Sequence, residues 1–368
     1  MPVHQVQVAL GERSYPITIA AGVLDQAGAL IRPHLVSSRA LVIADDTVAR
    51  LHGDRLTRSL SAAGISSDIV TFPAGELSKT LETAGKLWES CAQFRLDRTG
   101  TIIALGGGVC GDLAGFVAAG WMRGVTFVQV PTTLLAMVDS AVGGKTGVNS
   151  SAGKNLVGAF KQPRCVIIDP TMVATMQPRE YRAGLAEVLK YGVIKDAAFL
   201  AWQESHADQL AVGNPEAVAH AVAESCRIKA WYVGEDETEQ GVRAHLNYGH
   251  TFGHALERDT AYATFLHGEA VGIGLRMAAQ LATRLGLLTD ADLCRRQDEL
   301  LRRYQLPLTH RCADHTASAA RLANHCLLDK KVAAGRARFV LPQRVGEVAV
   351  HTIEDLEAVR AAFLSALE

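Results

Sequence analysis

No charge of either sign dominates this chain: 37 Lys+Arg stand against 38 Asp+Glu, a formal net charge of −1. So balanced a chain exerts no global pull on nucleic acid or on an anionic membrane, and any anion site has to be built locally. Apolar runs of membrane-spanning length are also missing, and the opening Met-Pro-Val-His-Gln-Val-Gln-Val-Ala-Leu has neither a basic stretch nor an apolar one behind it. A soluble, unexported, cytoplasmic protein is the expectation. The seven cysteines, at 91, 110, 165, 226, 294, 312 and 326, contain no C-x-x-C pair. Odd in number and scattered, they fit reduced cytosolic thiols better than a disulfide framework or a structural zinc site. Internal repeats and low-complexity linkers are absent too, so a tight interface between domains is expected, a usual place for a ligand cleft.

What is present is enough chain, 368 residues and 39.3 kDa, to bury a large core and to favour two domains over one. Alternation in Val3 to Leu10 and Tyr15 to Ile19, around Gly11-Glu12, reads as an opening hairpin. Short apolar runs at 40–44, 68–72, 101–105 and 126–130 then alternate with helical stretches, which indicates βαβ units and a parallel sheet buried on both faces. After Val166-Ile-Ile-Asp169 the strands nearly stop, and from Arg179 to about Leu328 the spacing is helical. A late hairpin is expected at 337–341 and 347–351. The reading is an α/β N-terminal domain with a mostly parallel nucleotide-binding sheet, 1–174, followed by a mostly α-helical C-terminal domain, 175–368.

Leu105 is followed by Gly106-Gly-Gly108-Val-Cys-Gly111-Asp112, a G-x-G-x-x-G between a strand and a helix. Such glycines let the backbone approach a pyrophosphate at the positive end of the helix. The acidic residue expected about 20 residues on is missing, and the candidate ribose partner lies upstream, at Asp45. Gly144-Lys145-Thr146 is not a P-loop, since Asp139 stands where that motif needs Gly. What survives is a Gly-rich loop bearing Asp139 and Lys145, then a second one, Gly153-Lys154-Asn155. Two basic loops in a neutral protein point to a small, multiply charged ligand.

Arg243, Asn247, His250 and His254 are spaced four, three and four apart, so a helix would carry them on one stripe. Donors and imidazoles there, with Gly249 and Gly253 among them, call for an anion or metal partner and for something that approaches the backbone closely. Glu187 and Lys190 share a face among apolar residues. One carboxylate and two imidazoles form a common catalytic metal shell with an open position, but no H-E-x-x-H links Glu187, His250 and His267 locally, and the fold alone could join them.

Six stretches in order, Gly-Gly-Gly-Val-Cys-Gly-Asp, Val-Pro-Thr-Thr-Leu-Leu-Ala-Met-Val-Asp-Ser-Ala-Val-Gly-Gly-Lys, Gly-Lys-Asn-Leu-Val-Gly-Ala-Phe, Ala-Glu-Val-Leu-Lys-Tyr-Gly, Leu-Asn-Tyr-Gly-His-Thr-Phe-Gly-His-Ala and Leu-His-Gly-Glu-Ala-Val, resemble the 3-dehydroquinate synthase family. The resemblance runs from the opening hairpin to Asp329-Lys-Lys331. It implies a sugar phosphate cyclase that converts 3-deoxy-D-arabino-heptulosonate 7-phosphate to 3-dehydroquinate and phosphate through transient oxidation by NAD, phosphate elimination, reduction, ring opening and aldol closure. By position, Glu187, His250 and His267 match the family's divalent-metal ligands, zinc or cobalt. Asp45, Glu76, Lys79, Gly107, Gly108, Asp112, Thr132, Thr133, Lys154 and Thr175 match positions around NAD. Asp139, Lys145, Asn155, Lys190, Lys229, Arg243, Asn247, His254 and one of Lys330 and Lys331 match substrate-binding positions. Arg123 matches a residue that reaches a neighbouring subunit's site, which implies a homodimer.

The competing readings are an amino-dehydroquinate or cyclitol synthase of the same superfamily, a metal-dependent polyol dehydrogenase, and an inactive NAD-binding module. Keeping Arg243, Asn247 and His254 together argues for a carboxylated substrate, since cyclitol-forming relatives alter this stripe. Intact Glu187, His250 and His267 argue against the inactive module.

Overall fold

A computed structural model describes residues 3–326 and 337–368. The chain folds as two compact units, Met1–Met176 with Val218–Thr238 and Gln177–Ala217 with Glu239–Glu368. Whereas the sequence reading kept 175–368 together, the stretch Val218–Thr238 belongs to the first unit. Lys330 and Lys331 lie outside the described residues.

The first unit is built on strands β1 (His4–Val8), β2 (Tyr15–Ile19), β3 (Arg39–Asp45), β4 (Ser66–Phe72), β5 (Thr101–Gly106), β6 (Thr126–Pro131) and, after a hairpin of β7 (Lys145–Ser150) and β8 (Gly153–Phe160), β9 (Val166–Ile168). The sheet runs β1-β2-β9-β6-β5-β3-β4. Only the β1/β2 pair is antiparallel; every other pair in this sheet is parallel. Continuous Val, Ile and Leu runs suit strands covered on both faces, and all of β5 is buried. Helices Leu81–Gln93 and Gly108–Gly120 close one face, with Leu87, Leu113 and Val117 packed on Leu41, Ile43 and Ile102.

The two basic loops expected around Lys145 and Lys154 are instead the antiparallel pair β7/β8, in which Gly147 faces Gly158. A Cβ on Gly158 would fall 2.2 Å from the Thr146 carbonyl oxygen, and one on Gly147 2.6 Å from that of Val157. Gly147 reads as loop, yet it and Gly158 are there because the strands touch backbone to backbone.

In the second unit, helix Pro178–Ile194 is buried from Ala183 to Ile194. Helix His267–Arg284 packs on it and on helix His250–Asp259, and β10 (Ala337–Arg344) and β11 (Glu347–Ile353) form the late hairpin. The stripe from Arg243 to His254 is not one helix. Val242–Asn247 forms a 3₁₀ turn, Tyr248 is non-helical, Gly249 turns left-handed at φ 79°, and the α-helix begins at His250. What approaches the Gly249 backbone is helix His267–Arg284: a Cβ on Gly249 would lie 2.8 Å from the Leu275 amide nitrogen, and one on Gly274 2.1 Å from the Gly249 carbonyl oxygen. Gly268 seats the same helix on the other side, where a Cβ would stand 1.8 Å from the Ala183 carbonyl oxygen.

These contacts predict opposite outcomes for two glycine substitutions. Gly274→Ala should cost about 1–3 kcal/mol by overpacking against backbone that cannot yield. Gly85→Ala, in helix Leu81–Gln93 with nothing within 4 Å of the new methyl, should gain up to about 1 kcal/mol. Urea unfolding of both variants measures the signs.

Candidate active site

The order β6-β5-β3-β4 reverses direction beside β3, since the chain passes outward to β4 and returns to the opposite side of β3 as β5. In open α/β sheets the crevice at such a reversal, at the carboxyl ends of the strands, is where ligands bind. Asp45 ends β3 and Gly106 ends β5. Gly107 is extended and Gly108 opens the helix, so the glycine motif does form the strand-to-helix turn. A Cβ on Gly107 would stand 3.1 Å from the Thr133 methyl, and one on Gly108 3.1 Å from the Ser140 hydroxyl.

Around this turn the expected nucleotide positions converge. The Asp45 carboxylate accepts from the Val48 amide at 2.9 Å, capping its own helix. Thr132 donates its amide to the Gly106 carbonyl at 3.0 Å, while its hydroxyl oxygen is buried without a hydrogen bond. Lys79 is buried, its Nζ 2.5 Å from both Asp112 Oδ2 and Asn155 Oδ1. Asn149 ties the rest in, donating to Glu76 Oε1 at 2.7 Å and accepting from the Asn155 amide at 3.0 Å. Loss of water raises the Asp112 carboxyl, and the Lys79 ammonium opposes that rise. Thr175 accepts from His52 Nε2 at 3.0 Å and donates to the Met172 carbonyl at 2.8 Å. The thiol of Cys110, inside the motif, is buried against the Ile43 carbonyl and held protonated by burial, so it is a packing group here.

Elsewhere in this unit, Lys229 donates to both the backbone and the carboxylate of Asp139, the latter at 2.8 Å. Lys145 is exposed at the start of β7, and Lys154 is half-buried on β8. Arg123 is exposed on a left-handed turn, φ 49° at Met122 and 64° at Arg123, a conformation that non-glycine residues adopt at a cost.

The second unit gathers the candidate metal shell. Glu187, His250 and His267 offer ligand atoms that all lie within 4.8 Å of one another. Glu187 is fully buried. The ammonium of Lys190, one turn on, is ion-paired with Oε2, and among the described residues neither carboxylate oxygen has a hydrogen bond of good geometry. His250 Nε2 stands 3.5 Å and His267 Nε2 3.9 Å from Glu187 Oε1, too far to satisfy it well. The opposite ring nitrogens are engaged: His250 Nδ1 meets the Tyr248 carbonyl at 3.1 Å, and His267 Nδ1 meets Glu257 Oε1 at 3.4 Å. With Nδ1–H donating, each Nε2 presents a lone pair inward. A fully buried carboxylate with two imidazoles within 4.8 Å of it, each held at its far nitrogen, fits a divalent cation.

His254 lies against the same rings, edge-on to His250 at 5.6 Å and stacked on His267 at 6.0 Å between centroids. Arg243 is buried, and Asn247 donates to Glu239 Oε1 at 2.6 Å. The sequence reading missed Glu257, Glu239, Asn149 and His52. Glu257 had a signal, falling seven residues after His250 and three after His254 on one helical stripe. Glu239 and His52 had none, since only tertiary contact brings them in.

The model of the N-terminal part of 3-dehydroquinate synthase matches residues 69–183, and that of the C-terminal part matches residues 184–332. The 3-dehydroquinate synthase of Halorhodospira halophila is 51% identical over 343 residues, covering 93% of this chain and 94% of its own. Among solved structures, 2-epi-5-epi-valiolone synthase from Streptomyces hygroscopicus subsp. jinggangensis with NAD+ and Zn2+ bound superposes at a TM-score of 0.85 with 30% identity, covering 97% of this chain and 98% of that one. A 2-deoxy-scyllo-inosose synthase complexed with carbaglucose-6-phosphate, NAD+ and Co2+ superposes at 0.86 with 26% identity over the whole of both chains. With both halves matched in order and a relative about half identical across nearly its full length, this chain belongs to the 3-dehydroquinate synthase family.

Proposed function

We propose that this chain converts 3-deoxy-D-arabino-heptulosonate 7-phosphate to 3-dehydroquinate and phosphate in the shikimate pathway of aromatic amino acid biosynthesis, with NAD and one zinc or cobalt ion, as a cytoplasmic homodimer. The observation that carries the reading is the fully buried Glu187 carboxylate with His250 and His267, whose ligand atoms all lie within 4.8 Å of one another. Glu187, His250 and His267 would hold the ion, and the Asp45 and Gly107–Gly108 turn with the Lys79–Asp112 pair would hold NAD. When bound, the ion polarises a substrate hydroxyl and NAD accepts and later returns its hydride.

The remaining work falls to this chain's own groups. Lys190 and Arg243 are buried cations, and such groups hold phosphate and carboxylate through charge-assisted bonds worth more away from water. Asn247 and His254 lie on the same stretch and orient the substrate. Lys145, Asn155, Lys229 with Asp139, and one of Lys330 and Lys331 complete the substrate set in this reading. No protein base is assigned to the elimination, because the substrate's own phosphate can collect the proton. Arg123, exposed on its left-handed turn, is the group that serves a second subunit. In support stand the family membership, the relative's name, and the NAD and metal bound by the two related cyclases.

Purified protein given trace NAD and zinc or cobalt should release phosphate from the heptulosonate phosphate through many turnovers per NAD. Absence of release sinks the reading, and NADH accumulating one-for-one with substrate consumed identifies a polyol dehydrogenase instead. His250→Ala should lose bound metal and phosphate release together, by more than the roughly 10–100-fold typical of losing an outer partner of a metal ligand. Metal analysis showing full occupancy would remove His250 from the shell.

A further inference from the structure

His267 differs from His250 in how its outer nitrogen is held. His250 is locked by a backbone carbonyl, that of Tyr248. His267 opens its helix with a side chain one-third exposed, and what meets its Nδ1 is the carboxylate of Glu257. That carboxylate is itself buried, its side chain 8% exposed, on helix His250–Asp259 two turns beyond His250. One imidazole thus spans two carboxylates, with Nε2 3.9 Å from Glu187 and Nδ1 3.4 Å from Glu257.

We infer that Glu257 is a positioning residue: it accepts the Nδ1–H of His267, fixes the tautomer that turns the Nε2 lone pair toward Glu187, and raises the donor strength of that nitrogen. The inference rests on the metal reading above. Its physical basis is twofold. A ring one-third exposed on the first turn of a helix can rotate about its side-chain bonds unless its far nitrogen is tied, and a carboxylate ties it more strongly than a neutral acceptor does. Charge gives the second reason. A divalent ion against Glu187 alone keeps one unit of positive charge in a buried site, and the Glu257 carboxylate offsets that unit through the ring.

The same geometry offers a competing role. His254, Glu257 and His267 also bring ligand atoms within 4.8 Å of one another. If Glu257 held a second ion, His267 would bridge two metals. The stoichiometry separates the two roles.

The test is zinc affinity by chelator competition, in the absence of substrate, for the wild type, Glu257→Gln, Glu257→Asp and His250→Ala. Cobalt(II) absorption spectra and melting of the metal-free proteins run alongside. Glu257→Gln should bind zinc about 10–100-fold more weakly, shift the cobalt bands, melt with the metal-free wild type, and recover turnover at saturating metal. Glu257→Asp, which keeps the charge but withdraws it by one methylene, should lose less. Unchanged zinc affinity in Glu257→Gln, with His250→Ala deficient, overturns this inference alone. Zinc retained by His250→Ala overturns the metal reading and the inference with it. Two zinc ions per wild-type chain would make Glu257 a ligand and overturn the positioning role. Should Glu257→Gln fail to fold, wild-type zinc affinity in Glu257→Asp makes the residue structural and overturns it as well.

Discussion

The buried carboxylate of Glu187 is the constraint to which the second unit answers. An ionised carboxylate removed from water is costly by many kcal/mol unless cations or donors meet it, and here its helix is buried along twelve consecutive residues, Ala183 to Ile194. A lysine one turn on and two imidazoles from separate helices are brought to it. To deliver those imidazoles, helix His267–Arg284 must lie against the Ala183 backbone on one side and the Gly249 backbone on the other. The glycines of this region are therefore part of the site's construction. They set the distance at which two histidines can face one acid.

In the first unit the corresponding constraint is topological. The strand order turns back on itself beside β3, and in open α/β sheets such a reversal makes a crevice at the carboxyl ends of the strands. Asp45 and the glycine turn stand at the ends of β3 and β5, and Lys79 joins Asp112 and Asn155 in one network. The Lys79–Asp112 pair illustrates the balance struck there: desolvation pushes the carboxyl up, and the ammonium beside it pulls the other way.

Much of this was legible in the residues. Continuous apolar runs named β3, β5 and β6 because a strand covered on both faces has no polar side to show. The glycine motif named the turn after β5 because its position between a strand and a helix matched the motif's own geometry. Two features were misread for one shared reason. Glycine reports close backbone approach and left-handed turns equally well, so Gly147 reads as loop when it marks two strands in contact, and Gly249 reads as helix interior when it is the left-handed residue before the helix that begins at His250. The roles expected of Arg243, Asn247, His250 and His254 thus rest on matched sequence, since the single helix that periodicity offered does not exist. Glu239 and His52 stayed invisible because their contacts, with Asn247 and Thr175, join segments whose pairing no local pattern encodes.

The return of Val218–Thr238 to the first unit has a consequence for how the protein comes into being. A ribosome that has delivered every strand of the large sheet has still not delivered the helix that brings Lys229 to Asp139, and some forty residues of the other unit emerge in between. Neither unit can be excised as one unbroken fragment. Assembly of the first must wait on synthesis of part of the second, so the two halves are bound together in time as well as in sequence.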